Sequence, residues 1–278
     1  MARTTITVDG LRTHYLELGR GAPVVLLHAG DFGASAETSW HEVIEPLAQS
    51  GYRVIAPDWL GFGGSDKVVD FADPHGRRLA HMRATVAALE LGTPAMIGFS
   101  MGGTLLARAL ARPDPLLPAS LAVLAHGGGF APLNAARQAL QDYDLTPAGM
   151  AKMLRTALYS DRWSSDEEYV AWRHRLSLEP GAWAAVAAAR VRPPGQESVD
   201  FGTADNTVYE RIRVPTLVVA GENDPLREPG YAAELAERIP DSELLVYPEC
   251  GHGAPLEQGP RFVKDVVSFL NRRYRGRF

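Results

Sequence analysis

Six short runs of apolar and β-branched residues punctuate the chain, at Val24–Leu27, Val54–Ala56, Ala95–Gly98, Leu121–Ala125, Leu217–Ala220 and Leu244–Tyr247. Near-continuous apolar runs of this length, without polar alternation, predict strands buried on both faces. Between them lie Arg78–Leu91, Met101–Ala111 and Gly230–Arg238, whose patterning predicts amphipathic helices. Strand–helix alternation of this kind predicts an α/β fold, a mostly parallel, doubly wound sheet covered on both faces. Thr5–Val8 and His14–Leu18, joined through Asp9–Gly10, predict instead an opening antiparallel hairpin.

The pattern changes between Phe130 and Asp205. Helical stretches follow one another there, at Asn134–Gln141, Pro147–Leu158, Asp166–Leu176 and Ala182–Arg190, with no strand between them. Arg192-Pro193-Pro194-Gly195 then has a linker composition. The chain therefore divides into a first core segment at 1–129, a helical insertion at 130–205 and a second core segment at 206–278. An all-helical insertion in an α/β alternation is expected to lie as a lid over the sheet's carboxyl edge, where such folds bind ligands.

With 278 residues the chain can bury one large core plus an inserted subdomain. A formal charge of −5 argues against nucleic acid and anionic membranes, both of which recruit basic patches. The basic run Arg272–Arg277 reads as a frayed, solvated tail. A single cysteine, Cys250, rules out an internal disulfide framework, and no Cys/His pair has metal-ligand spacing. No apolar stretch has the length of a signal peptide's core or of a membrane span. A soluble, cytoplasmic protein acting on a small molecule, with no cofactor, is expected; homo-oligomerisation is left open.

Candidate chemistry centres on Gly98-Phe99-Ser100-Met101-Gly102, a G-x-S-x-G pattern. It follows one predicted strand and opens a helix, which is where a nucleophile elbow must stand: a strained turn with glycines where backbones would otherwise collide. The Met101 N–H, at a helix N-terminus, can face a developing oxyanion. A serine hydroxyl needs a base, and of the eight histidines only His252 lies downstream of every candidate acid, as the order Ser…Asp…His requires. Asp224, just beyond Leu217–Ala220, is the acid; Glu222 is its nearest rival and reads as a solvated loop charge. The preceding strand ends Ala125-His126-Gly127 with no carboxylate, and His126 reads as a turn or pocket-wall residue. Cys250 reads as a small buried apolar residue. A second oxyanion donor is expected from Ala29 or Gly30, in the loop that follows Val24–Leu27.

These motifs, together with Pro57-Asp58-Trp59-Leu60-Gly61-Phe62-Gly63-Gly64-Ser65-Asp66, resemble the α/β-hydrolases over nearly the whole chain. Within that superfamily, His28-Ala29-Gly30-Asp31-Phe32-Gly33-Ala34-Ser35, Gly127-Gly128-Gly129-Phe130 and Tyr169-Val170-Ala171-Trp172-Arg173 look similar to the meta-cleavage-product hydrolases. Those enzymes cleave a C–C bond in vinylogous 1,5-diketone acids. The resemblance implies that Arg173 holds a substrate carboxylate, with Arg175 and Arg190 as neighbouring alternatives. It also implies Trp172, Phe99, His28 and Asp31 as substrate-facing candidates, although His28 reads more simply as a hydrogen-bonded structural residue. Two departures stand out: the family usually carries Asn where Phe99 stands, and Trp where Gly253 follows the base. Gly-Phe-Ser-Met-Gly-Gly is also similar to cofactor-free haloperoxidases and perhydrolases, which are esterases in chemical character. Serine rather than aspartate at position 100 excludes the alkyl-ester chemistry of haloalkane dehalogenases and epoxide hydrolases. The leading expectation is C–C hydrolysis of an oxo-acid, with ester or lactone hydrolysis as the alternative. A non-catalytic receptor on the same scaffold is the remote one.

Overall fold

The computed structural model describes residues 1–188 and 201–274, and within them the strands form one eight-stranded sheet. Its strands are β1 (Ala2–Val8), β2 (Leu11–Leu18), β3 (Ala22–Leu27), β4 (Tyr52–Pro57), β5 (Ala95–Phe99), β6 (Leu121–Ala125), β7 (Thr216–Gly221) and β8 (Ser242–Tyr247). The spatial order is β1-β2-β4-β3-β5-β6-β7-β8. β1 and β2 form the expected antiparallel hairpin, with Asp9 and Gly10 both at positive φ, 50° and 76°, as a type I′ turn demands. β2 meets β4 antiparallel, and every later pairing is parallel. β3, β5, β6 and β7 are buried almost throughout, which explains their unbroken apolar runs. β8 departs from the expectation of burial on both faces. It closes the sheet as an edge strand, and Val246 is 48% exposed.

The sheet's helices are α1 (Ala36–Trp40), α2 (Ile44–Gln49), α3 (Pro74–Ala88) and α4 (Met101–Leu110), and the insertion supplies α5 (Ala135–Gln141), α6 (Pro147–Ala157), α7 (Arg162–Ser165), α8 (Glu167–Ser177) and α9 (Ala182–Ala188). After β7 come α10 (Tyr231–Arg238), α11 (Ala254–Glu257) and α12 (Gly259–Arg273). α3 begins four residues before the patterned stretch, because Asp73 caps it by accepting from the Gly76 N–H and Pro74 sits in its first turn. Asn134, Thr146 and Asp166 cap the N-termini of α5, α6 and α8 in the same way, so three residues expected inside or beside helices are their start signals. No strand interrupts the chain from α5 to α9 among the described residues. The end of the expected helix at Arg190, the linker Arg192–Gly195 and the tail Arg275–Arg277 lie outside the described residues.

One basic stretch is corrected. Arg272 and Arg273 do not fray: they end α12 and pair with Glu243 and Asp241 beside β8. No helix among the described residues is long and apolar enough to cross a membrane.

Candidate active site

Parallel strands all present their carboxyl ends to the same side, so loops far apart in sequence converge there. Ser100 follows β5, Asp224 follows β7 and His252 follows β8. Ser100 adopts φ 53° and ψ −112°, a left-handed conformation unusual for a residue with a Cβ. The surroundings over-determine that strain. Ser100 N–H donates to the Ala125 carbonyl at 2.8 Å, and α4 starts at the next residue. The flanking glycines are required by contact: a Cβ on Gly98 would stand 2.5 Å from the Gly103 nitrogen, and one on Gly102 would stand 2.1 Å from the Leu27 carbonyl oxygen.

Ser100 Oγ lies 2.8 Å from His252 Nε2, and His252 Nδ1 lies 2.7 Å from Asp224 Oδ2. With Nδ1–H donating to the carboxylate, Nε2 is left to accept from the serine hydroxyl. Burial is the largest influence on His252 and pushes its imidazole down to about 4, against the opposing pull of Asp224. Burial would also raise the Asp224 carboxyl, but the contacts with His252 and His126 overcome it and hold the group well below the usual carboxylate range. Glu222 is exposed on the surface and its backbone N–H donates to Tyr247. The base is also tied to the insertion. His252 N–H donates to the Ala157 carbonyl at the end of α6, while Glu257 accepts from Gly251 with one oxygen and from Tyr159 and Ser160 with the other.

His126 was not anticipated as part of this group. It is fully buried, and its Nδ1 lies 3.0 Å from Asp224 Oδ2, the oxygen that His252 also contacts. The sequence carried one signal, a histidine at the end of the strand that bears no acid. His126, Asp224 and His252 are also the one group of described residues with metal-ligand proximity. Their hydrogen bonding does not suit a metal, because the Ala254 N–H already points at His126 Nε2 and so leaves Nδ1 to carry the proton instead of a lone pair. Cys250 is buried, and burial followed by the nearby Glu257 pushes its thiol up, which makes it inert.

Gly30 packs so closely on the elbow that a Cβ there would meet Met101 Sδ at 2.4 Å. The loop after β3 and the start of α4 therefore meet beside Ser100. His28 and Trp172, expected to face substrate, do not. His28 is fully buried: its Nδ1 turns to the Ala29 carbonyl at 2.6 Å and its Nε2 accepts from the Trp59 N–H at 3.0 Å. Trp172 stands on an outer groove with His41, Trp163 and Tyr169, on the other side of α8 from the cavity. Phe99, Asp31 and Arg173 do line the cavity above Ser100. Arg173 is buried and already engaged: its guanidinium pairs with Asp31 and donates to the Phe32 carbonyl at 2.8 Å. Arg175 is exposed on the outer groove.

The cavity measures about 180 Å³ and is walled by α5, α6, α8 and α9 as well as by the sheet loops. Apolar side chains such as Leu140, Met153, Leu154 and Val186 dominate those walls. Five arginines line it against a single carboxylate, Asp31, among the described residues. Such a space accepts a small, partly apolar molecule and favours negative charge.

Comparison with known proteins identifies the family and the fold. A family model described as the alpha/beta hydrolase fold matches residues 23–258. The chain is 31% identical to the 2-hydroxy-6-oxo-6-(2'-aminophenyl)hexa-2,4-dienoic acid hydrolase of Metapseudomonas resinovorans, covering 96% of this chain and 90% of that one. It is 30% identical to the 2-hydroxymuconate semialdehyde hydrolase of Pseudomonas sp. strain CF600, covering 95% and 92%. The solved meta-cleavage product hydrolase of Pseudomonas fluorescens IP01 superposes with a TM-score of 0.87 at 26% identity, covering 97% of both chains. By the family model and by relatives matched over at least 90% of both sequences, the chain belongs to the α/β-hydrolase family.

Proposed function

We propose that this hydrolase cleaves a carbon–carbon bond in a 2-hydroxy-6-oxo-dienoate-like acid, with Ser100, His252 and Asp224 as its catalytic set. The observation that carries the reading is the match to hydrolases named for 2-hydroxy-6-oxo-dienoates over at least 90% of both chains. The excess of arginine in the cavity walls supports an acidic substrate. In this reading His252 takes a proton from Ser100, or from a water, as the oxygen attacks the ketone carbon. The Met101 N–H and a donor from Ala29 or Gly30 stabilise the oxyanion, each contributing about 3 kcal/mol. The tie between the Ala29 carbonyl and the His28 ring favours Gly30, because a trans peptide turns its N–H opposite to its C=O. When the C–C bond breaks, its electron pair enters the conjugated oxo-acid and His252 returns the proton to the leaving carbon. Water then releases the acyl group as a carboxylic acid. Residues 130–205 act as the lid that keeps bulk water out, since four of the insertion's helices wall the cavity.

Product analysis tests this. Incubation with a 2-hydroxy-6-oxo-dienoate should yield one carboxylic acid per dienol acid formed, and substrate that is stable in the enzyme's presence would refute it. The pH profile is a second test. His252 must be neutral to act, and burial lowers it to about 4. Thus kcat/KM should rise as pH climbs through about 4 and stay level up to neutrality, below the ordinary histidine range of about 6.5. A limb at 6.5 would mean that the base is solvated in solution.

Ester or lactone hydrolysis is the second reading, favoured by the pairing of Arg173 with Asp31, which occupies the guanidinium that a carboxylate would need. Arg173→Ala separates the two. Loss of a carboxylate clamp should cost roughly 2–5 kcal/mol in kcat/KM on an acidic oxo-dienoate and leave p-nitrophenyl acetate nearly unchanged. Equal small effects on both would favour the neutral substrate.

A further inference from the structure

Asp224 carries two histidines on one oxygen. His252 Nδ1 approaches Oδ2 at 2.7 Å and His126 Nδ1 at 3.0 Å, while the Leu226 N–H donates to Oδ1 at 2.9 Å. The imidazoles stand 5.2 Å apart with their planes at 60°, so they reach the carboxylate from different sides. His126 is rigidly placed for this. It adopts φ 55°, its N–H donates to the Val219 carbonyl at 2.9 Å, and its own carbonyl accepts from the Arg227 guanidinium. The far nitrogen of its ring accepts from Ala254 N–H at 3.0 Å, two residues beyond the base. That bond fixes the tautomer with the proton on Nδ1.

We propose that His126 is a positioning residue of this site: it holds Asp224 opposite His252 and draws off part of the carboxylate charge that would otherwise serve the base. The inference rests on the Ser100–His252–Asp224 reading above. A carboxylate oxygen that accepts a second N–H is a weaker partner for the imidazolium formed during turnover. His252 then gives up its proton more readily, which suits a step that delivers a proton to a poorly basic leaving carbon. The Ala254 bond meanwhile ties the end of β6 to the segment carrying the base. The other titratable groups facing this pair are Arg227 and Tyr231 after β7, and Cys250 and Glu257 around the base loop. Of these, Arg227 also lowers the base, and the proposed test leaves all four untouched.

Two substitutions part the roles of the ring. The amide of His126→Asn can stand where Nδ1 stands and keep the donor to Asp224, and asparagine tolerates the positive φ. His126→Gln can keep a polar atom near Ala254 but loses the Nδ1 donor. With p-nitrophenyl acetate, whose turnover does not depend on the C–C reading, His126→Gln should move the acid limb of kcat/KM upward by roughly one pH unit. Its kcat should fall several-fold at unchanged KM, and His126→Asn should restore the limb to its wild-type position. An unmoved limb in a folded His126→Gln enzyme, or equal shifts in both variants, would overturn the proposal. Nitrogen-15 NMR of histidine-labelled wild type gives a reading independent of variant folding. His126 and His252 are both expected to be protonated at Nδ1, as His28 also is by its bond to the Ala29 carbonyl, and a His126 protonated at Nε2 would overturn it. Should Ser100→Ala prove fully active, the catalytic set itself fails, which is a separate outcome from either result at His126.

Discussion

Ser100→Ala is expected to lower turnover by roughly 10⁴-fold or more and to abolish labelling by a fluorophosphonate. Both effects come from one oxygen. The Ser100 hydroxyl is the nucleophilic group within hydrogen-bond reach of His252, at 2.8 Å, and the elbow holds it there at the cost of a left-handed φ. Alanine keeps the turn, the oxyanion donors and the cavity, so binding should survive and the loss should fall on kcat. The same substitution leaves Gly98 and Gly102 in their close contacts, so the fold should be unaffected. Labelling that persists at another serine would remove Ser100 from its role. If C–C turnover partly survives while esterase activity vanishes, a water attacks in place of the serine.

His252→Ala should match the serine variant, because residues of one catalytic unit do not lose activity additively. Asp224→Asn should keep the fold and some labelling at a much reduced rate. Its consequences are sharper here than in a site with one histidine. Asp224 Oδ2 accepts from two Nδ1–H groups and Oδ1 accepts from the Leu226 N–H. An asparagine has one acceptor oxygen, so its NH₂ must face either both imidazole N–H groups or the backbone N–H. At least one donor is left opposed, and the His252 tautomer is no longer firmly enforced. An Asp224→Asn enzyme of full activity would contradict the assigned acid and move the role toward the exposed Glu222.

How much of this was legible in the sequence depends on whether a residue's neighbours are local. The strands β3, β5, β6 and β7 announce themselves because burial on both faces leaves unbroken apolar runs. The elbow is equally local: strand, glycines, serine and helix follow within a few residues. The order Ser…Asp…His then leaves few choices for the other two. What resisted reading is set by long-range packing. Trp172 and Arg173 are adjacent on α8, yet one faces an outer groove and the other the cavity, and the helix's weak apolar patterning did not show which. His28 and Asp31 belong to one loop, but the Trp59 N–H, supplied from beyond β4, takes the first into the core. His126 looked like a turn residue because Asp224 and Ala254, which give it meaning, lie 98 and 128 residues away in sequence.

The central claim is that this site hydrolyses a carbon–carbon bond of an acidic oxo-dienoate, and one comparison tests it most directly. Purified enzyme is given a 2-hydroxy-6-oxo-dienoate and p-nitrophenyl acetate in parallel, each followed by absorbance to a full kcat/KM. The account predicts that the dienoate is the better substrate by at least about tenfold, and that both activities disappear together in Ser100→Ala. An enzyme that turns over the ester readily and leaves the dienoate untouched would contradict it.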